Sequence, residues 1–137
     1  MKFLLDTNIC IFIIKQKPPQ VIKRFKNYDA DDFGISAITL TELQFGVAKS
    51  QHKEKNQQAL AEFILPLVVV EFTGDAALAY GEIRAELARK GQPMGALDML
   101  IAAQALSANV TLVTNNVREF ARVPGLIVEN WVDRPTR

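Results

Sequence analysis

Short apolar runs alternate with longer amphipathic stretches along the chain. Residues 2–5 (KFLL) form a run of the length of a buried strand. The run meets Asp6, Thr7 and Asn8, and apolar residues resume at Ile9, which predicts a helix to about Lys15. Asp6 or Asn8 can cap that helix, and KPP at 17–19 stops it. Residues 19–27 place a proline at a first helical position and space Val21, Ile22 and Phe25 for a second helix. FGIS (33–36) predicts a strand. From Thr39 to Ser50, Leu40, Leu43 and Val47 mark one apolar helical stripe. Polar QHKEKNQQ leads into a helix ending near Pro66, and β-branched LVVVEF (67–72) predicts a strand. A helix over 75–90 stops at Gly91, and an alanine-rich helix spans 94–108. A strand at 110–114, a short helix in NNVREFA and a last strand in 125–131 complete the series. Strands alternating with helices predict an α/β fold around a parallel sheet. With no repeat, low-complexity tract or linker, residues 1–137 are expected to form one domain.

Composition narrows the class. A chain of 137 residues can bury a sizeable core, and 49% hydrophobic with 23% charged residues is globular rather than disordered. No apolar stretch reaches the roughly 18–20 residues of a membrane span, and the run before Asp6 is too short for a signal peptide. A cytoplasmic protein is expected. Cys10 is the single cysteine, which excludes an intrachain disulfide and a thiolate metal cluster. Net charge is +1, which neither demands nor excludes nucleic acid. Lys15, Lys17, Lys23, Arg24 and Lys26 form one basic group, and Arg84, Arg89 and Lys90 a second. Such groups can meet phosphates, or simply be solvated helix faces.

In open α/β sheets ligands bind outside the C-terminal ends of the strands. Asp6 follows the first strand; Thr114, Asn115 and Asn116 follow the strand at 110–114. If both strands are central, these groups share one crevice. Glu42 lies one position off its helix's apolar stripe with Gly46 one turn beyond, a pattern that also fits a solvated rim residue. Asp98 stands in the first turn of its helix, where a carboxylate complements the dipole. Leu97, Leu100, Ile101, Ala102 and Ala105 around it suggest burial, however, and a buried carboxylate needs a partner. No Arg or Lys lies within one turn, so a metal would answer the need. Three carboxylates from separate elements, with Asn116 and Glu119 nearby, suit a hard cation such as Mg²⁺ or Mn²⁺. The single histidine, His52, argues against zinc and against histidine-based triads. An aspartyl-phosphate enzyme would want a second aspartate at position 8, where Asn8 stands, and no glycine-rich phosphate loop occurs at 111–116. These arguments reach an acidic, metal-binding α/β domain but no substrate.

LLDTNI (4–9), ISAITLTELQFG (35–46), GALDMLIAAQAL (95–106) and TLVTNNVREFARVPGLIVENW (111–131) together resemble the PIN-domain ribonucleases, specifically VapC toxins of bacterial VapBC toxin–antitoxin modules. The resemblance implies a PIN-like fold, a mostly parallel central sheet flanked by helices. It implies that Asp6, Glu42 and Asp98 form the acidic metal site for Mg²⁺, with Mn²⁺ as a substitute. Many relatives carry aspartate at Asn116, so either Asn116 or Glu119 completes the site. Thr7 and Asn8 would support Asp6, and Thr114 and Asn115 would shape the floor. Gln104 stands where relatives often have histidine. The implied activity is metal-dependent endoribonuclease cleavage of structured RNA, with tRNA, initiator tRNA in particular, as substrate and translation inhibited as the outcome. The implied partners are a VapB-type antitoxin, whose C-terminal arginine can enter the acidic pocket, and a second copy in a homodimer. The surfaces of helices 9–15, 19–27 and 39–50 are candidates for the antitoxin groove. The competing expectation is a catalytically silent PIN-like module that binds RNA or protein, and the absent aspartate at 116 is the feature that would favour it.

Overall fold

Phe3–Leu5 form the first strand, β1, and their alternation sets the layers. Phe3 and Leu5 enter one hydrophobic core and Leu4 the other, because successive side chains of a strand point to opposite faces. The computed structural model describes residues 1–132. After β1 come α1 (Thr7–Lys15), α2 (Pro19–Lys26), β2 (Phe33–Ser36), α3 (Ala37–Ala48), α4 (Lys53–Ile64) and β3 (Val68–Val70). Then follow α5 (Gly74–Arg89), α6 (Ala96–Ala108), β4 (Thr111–Val113), α7 (Val117–Phe120) and β5 (Val128–Glu129). The strands lie in the order β3-β2-β1-β4-β5, and each neighbouring pair is parallel. The expected α/β architecture is observed, with β1 at the centre. Helices α1 to α4 pack with Phe33, Ile35 and Val113 on one face; α5 and α6 pack with Leu4 and Leu112 on the other.

Several boundaries differ from the sequence reading. The run 67–72 yields only Val68–Val70, because its partner β2 ends at Ser36, opposite Val70. The run 125–131 yields only Val128–Glu129, since β4 offers just Leu112 and Val113 to pair with. Helix α1 is capped by Asp6, whose carboxylate accepts from the Thr7 N–H; Asn8 lies inside the helix. Helix α3 starts at Ala37, two residues early, because the Ser36 hydroxyl accepts from the Ile38 N–H. Residues 94 and 95 stay outside α6. Gly34 lies under the Met1 side chain and beside β3: an added Cβ would run into the Met1 sulfur and fall 3.1 Å from a Val70 methyl and 3.3 Å from the Val68 carbonyl oxygen.

The segment after β5 closes the α1–α2 side. Trp131 is buried among Phe3, Phe33 and Tyr28, with ring centroids 5.5, 5.8 and 6.2 Å away. Gln20 donates to the Val132 carbonyl at 2.7 Å, and Arg24 pairs with Glu129 at 2.9 Å while lying over the Trp131 ring. Among the described residues no helix is long and apolar enough to cross a membrane.

Candidate active site

Because β2 and β4 flank β1, the chain reverses its direction of travel across the sheet at β1, and a crevice opens beyond the strand ends at such a switch point. Asp6 leaves β1 there, 5% exposed. Its Oδ2 accepts from the Thr114 hydroxyl at 2.7 Å and its Oδ1 from the Thr7 N–H at 2.7 Å. Thr114 follows β4, so the parallel β1–β4 register joins residues 108 positions apart. The Thr7 hydroxyl donates to Glu42 Oε1 at 2.8 Å and lies 3.4 Å from the Thr39 hydroxyl. On the other side the Asn116 N–H donates to the Thr114 hydroxyl at 3.0 Å, and the Asn116 amide donates to Glu119 Oε2 at 2.8 Å. The Gly95 N–H donates to the other Glu119 oxygen at 3.3 Å, just before α6. One hydrogen-bonded chain thus runs Glu42–Thr7–Asp6–Thr114–Asn116–Glu119–Gly95.

Asp98 faces this chain from the first turn of α6. Its carboxylate has no hydrogen-bond partner among the described residues, and its pKa is pushed up to about 6. Burial is the main cause, followed by the charges of Asp6, Glu119 and Glu42. Burial also raises the Asp6 pKa, against the pull of the bonds from Thr114 and Thr7, and Glu42 adds to the rise. Among the described residues no cationic side chain acts on either aspartate. The site is therefore a concentration of like charge around oxygen donors only, a donor set that fits a hard divalent cation. A different acidic trio, Asp29, Asp31 and Asp32, has oxygens within 4.8 Å of one another; no three of the crevice carboxylates are that close. The trio lies at the opposite end of the sheet, before β2, where Asp29 and Asp32 cap a single turn.

Asp6, Glu42, Asp98, Asn116 and Glu119 come together in the crevice with Thr7 and Thr114. Asn8 and Asn115 do not join the hydrogen bonding. Both are exposed, and their side chains bond to nothing among the described residues, so the support expected of Asn8 comes instead from Thr7 and Thr114. Gln104 lies in the core, 1% exposed. Thr39 and Gly95 went unnoticed in the sequence, although Thr39 precedes Glu42 by one helical turn and so shares its face. The basic groups fare unequally. Lys15, Lys17, Lys23 and Lys26 are exposed, whereas Arg24 is held by Glu129 and Trp131, and Arg89 and Lys90 both pair with Glu86. Arg84 is turned onto Tyr80.

Comparison with known proteins extends the picture. The PIN domain family model matches residues 3–126. The "tRNA(fMet)-specific endonuclease VapC" of Salmonella typhimurium is 48% identical over 131 residues, 96% of this chain and 98% of that protein. A chain in the crystal structure of DNA-bound VapBC from Salmonella typhimurium superposes with a TM-score of 0.90 at 47% identity, covering 96% of this chain and 98% of that one. VapBC2 from Rickettsia felis, bound to a DNA fragment from its promoter, gives 0.87 at 44% identity, covering 96% and 99%.

Proposed function

Since the chain belongs to the PIN-domain family, among its VapC ribonucleases, we propose that it is the endoribonuclease toxin of a bacterial toxin–antitoxin pair, acting on tRNA in the cytoplasm. The observation that carries this reading is the convergence of Asp6, Glu42, Asp98 and Glu119, from four separate elements, on one crevice with no neutralising side chain among the described residues. These four would hold Mg²⁺ or Mn²⁺, which when bound supplies Lewis acidity toward a water and a phosphodiester. The chain's own contribution is placement. Thr114 and Thr7 fix Asp6, Thr7 fixes Glu42, and Asn116 fixes Glu119, leaving Asp98 free to turn. In this arrangement Asn116 orients a carboxylate and Glu119 supplies the fourth charge. Lys15, Lys17, Lys23 and Lys26, unengaged by any acidic group of the described chain, supply cations for the RNA backbone. The identity of the tRNA as an initiator rests on the 48% relative and on no base-reading residue seen in the crevice.

A groove of about 330 Å³ between α1, α3 and α4, lined by Ile11, Ile14, Leu43, Val47 and Leu60, suits an apolar segment of the antitoxin. Gly46 opens its wall, for an added Cβ would meet nothing within 4 Å. A second copy would complete a homodimer, which light scattering tests against the 15.3 kDa of one chain.

The decisive experiment compares purified wild type with Asp6→Asn on total tRNA, with Mg²⁺ and with chelator. Discrete tRNA fragments are expected only from wild type with metal, with Asp6→Asn at least about 100-fold slower, roughly 2.7 kcal/mol of lost transition-state stabilisation. Equal cleavage by both proteins would overturn the metal mechanism. Tight RNA binding with no cleavage by wild type would favour the silent binding module.

A further inference from the structure

Gln104 is a polar side chain buried in the middle of α6, and all of its contacts are made within the protein. Its amide NH₂ donates to the carbonyls of Val70 at 3.0 Å and Glu71 at 3.1 Å, where the edge strand β3 ends. Its oxygen accepts from the Ser36 hydroxyl, which is itself completely buried. That same hydroxyl oxygen accepts from the Ile38 N–H and starts α3. One amide therefore ties α6, the end of β2, the start of α3 and the end of β3 at a single point. A fully satisfied buried network of this kind admits few alternative arrangements.

The two helices tied here carry the two carboxylates that the crevice must bring together from opposite sides. Glu42 lies six residues beyond Ser36 along α3, and Asp98 lies six residues before Gln104 along α6. A helix transmits a fixed end over that span, about 9 Å at 1.5 Å per residue. Helices α3 and α6 also pack directly on each other. A leucine or methionine would fill the Gln104 site, so apolar packing alone does not call for an amide.

We propose that Gln104 and Ser36 are positioning residues of the crevice: their hydrogen bond sets the separation of α3 and α6 and so of Glu42 and Asp98. This inference rests on the nuclease reading for its consequence in activity, and its first measurement is independent of activity.

The test titrates Mn²⁺ alone into the full-length protein by calorimetry, with Gln104→Met, Gln104→Glu, Ser36→Ala and Ser36→Thr beside wild type. Methionine keeps the shape and loses the amide; glutamate keeps an acceptor and loses both donors. Gln104→Met, Gln104→Glu and Ser36→Ala are expected to weaken Mn²⁺ binding at least fivefold. Ser36→Thr, which keeps the hydroxyl, is expected to stay within twofold of wild type. RNA cleavage at subsaturating Mg²⁺ should fall at least tenfold in the first three, while RNA affinity changes less than twofold. If those three variants lower only the melting temperature and bind Mn²⁺ as wild type does, Gln104 is merely a core residue and the inference is overturned. Should the Gln104 variants fail to fold, the Ser36→Ala and Ser36→Thr pair decides by the same comparison. Should wild type bind Mn²⁺ and cleave no RNA, the nuclease reading fails, and the Mn²⁺ affinities still decide the positioning role.

Discussion

Asp98 is held near pKa 6 by burial and by Asp6, Glu119 and Glu42, and this makes proton and cation competitors for one carboxylate. Folding favours its protonated form, because its folded pKa lies above the ordinary aspartate value of 3.8. Its contribution to stability is thus fully present below about pH 4 and lost as pH rises through 6; the raised Asp6 pKa works in the same direction. Metal-free protein is expected to melt lower at pH 7.5 than at pH 5, and Mg²⁺ to recover the difference chiefly at pH 7.5. Scanning calorimetry at both pH values with and without Mg²⁺ checks this; a Mg²⁺ effect as large at pH 5 would contradict it. Thr114 affords a second residue-level test, since it is wholly buried and spans Asp6 and the Asn116 N–H. Thr114→Val keeps the shape, leaves Asp6 Oδ2 and the Asn116 N–H without their bonds to it, and is expected to cost about 1–3 kcal/mol in urea unfolding. Cleavage should drop roughly tenfold or more, or about 1.4 kcal/mol. Asp98 was legible in part: Ile101, Ala102 and Ala105 near it are buried as expected, but Leu97 is exposed and Asp98 itself only half-buried. Thr39 was legible only through its spacing of one turn from Glu42, because a threonine in a helix's first turn carries no other sign of what it will face.

At the scale of elements, periodicity located all five strands and all seven helices of the described chain, and erred at their ends. LVVVEF and GLIVENW keep strand composition beyond the point where a neighbour remains to pair with, and only the neighbour decides where a ladder stops. Caps were a similar case: Asp6 and Asn8 are both good N-caps by type, and the strand register places Asp6 at the junction. The α1–α3–α4 groove yields an element-level prediction. Ile14→Asp puts a charge on its apolar wall, away from the crevice, and should weaken antitoxin binding by 2 kcal/mol or more, roughly 30-fold. RNA cleavage by the free toxin should be unchanged. Surface plasmon resonance with immobilised antitoxin gives the first quantity, and a cleavage assay the second. Undiminished affinity would place the antitoxin elsewhere.

At the scale of the molecule, what the sequence could not supply was strand order. Nothing in Asp6 or Thr114 announces that strands 108 positions apart are neighbours; that follows only once β4 takes the free side of β1. Gln104 was hidden for a related reason, since its partners Ser36 and Val70 sit on strands whose adjacency is itself a result of the fold. The aromatic closure by Trp131 supplies a prediction at this level. Trp131→Ala should cost about 3–5 kcal/mol in urea unfolding, because its ring fills the space between Phe3, Tyr28 and Phe33. Arg24→Gln should cost at most about 1 kcal/mol, since its ion pair with Glu129 is solvent-exposed on both sides. Near-equal losses would mean that the charge pair, rather than the ring, fastens the segment after β5.

The central place of β1 has a consequence for the chain's birth on the ribosome. Phe3–Leu5 are made 108 residues before β4, which seats Asp6 through Thr114. At about 5–20 residues per second of synthesis, the first strand waits ~5–20 s for the neighbour that completes its ligand end. Until β4 has been made, Asp6 therefore has no Thr114 hydroxyl to hold it, and the crevice can close only well after its first carboxylate has been synthesised.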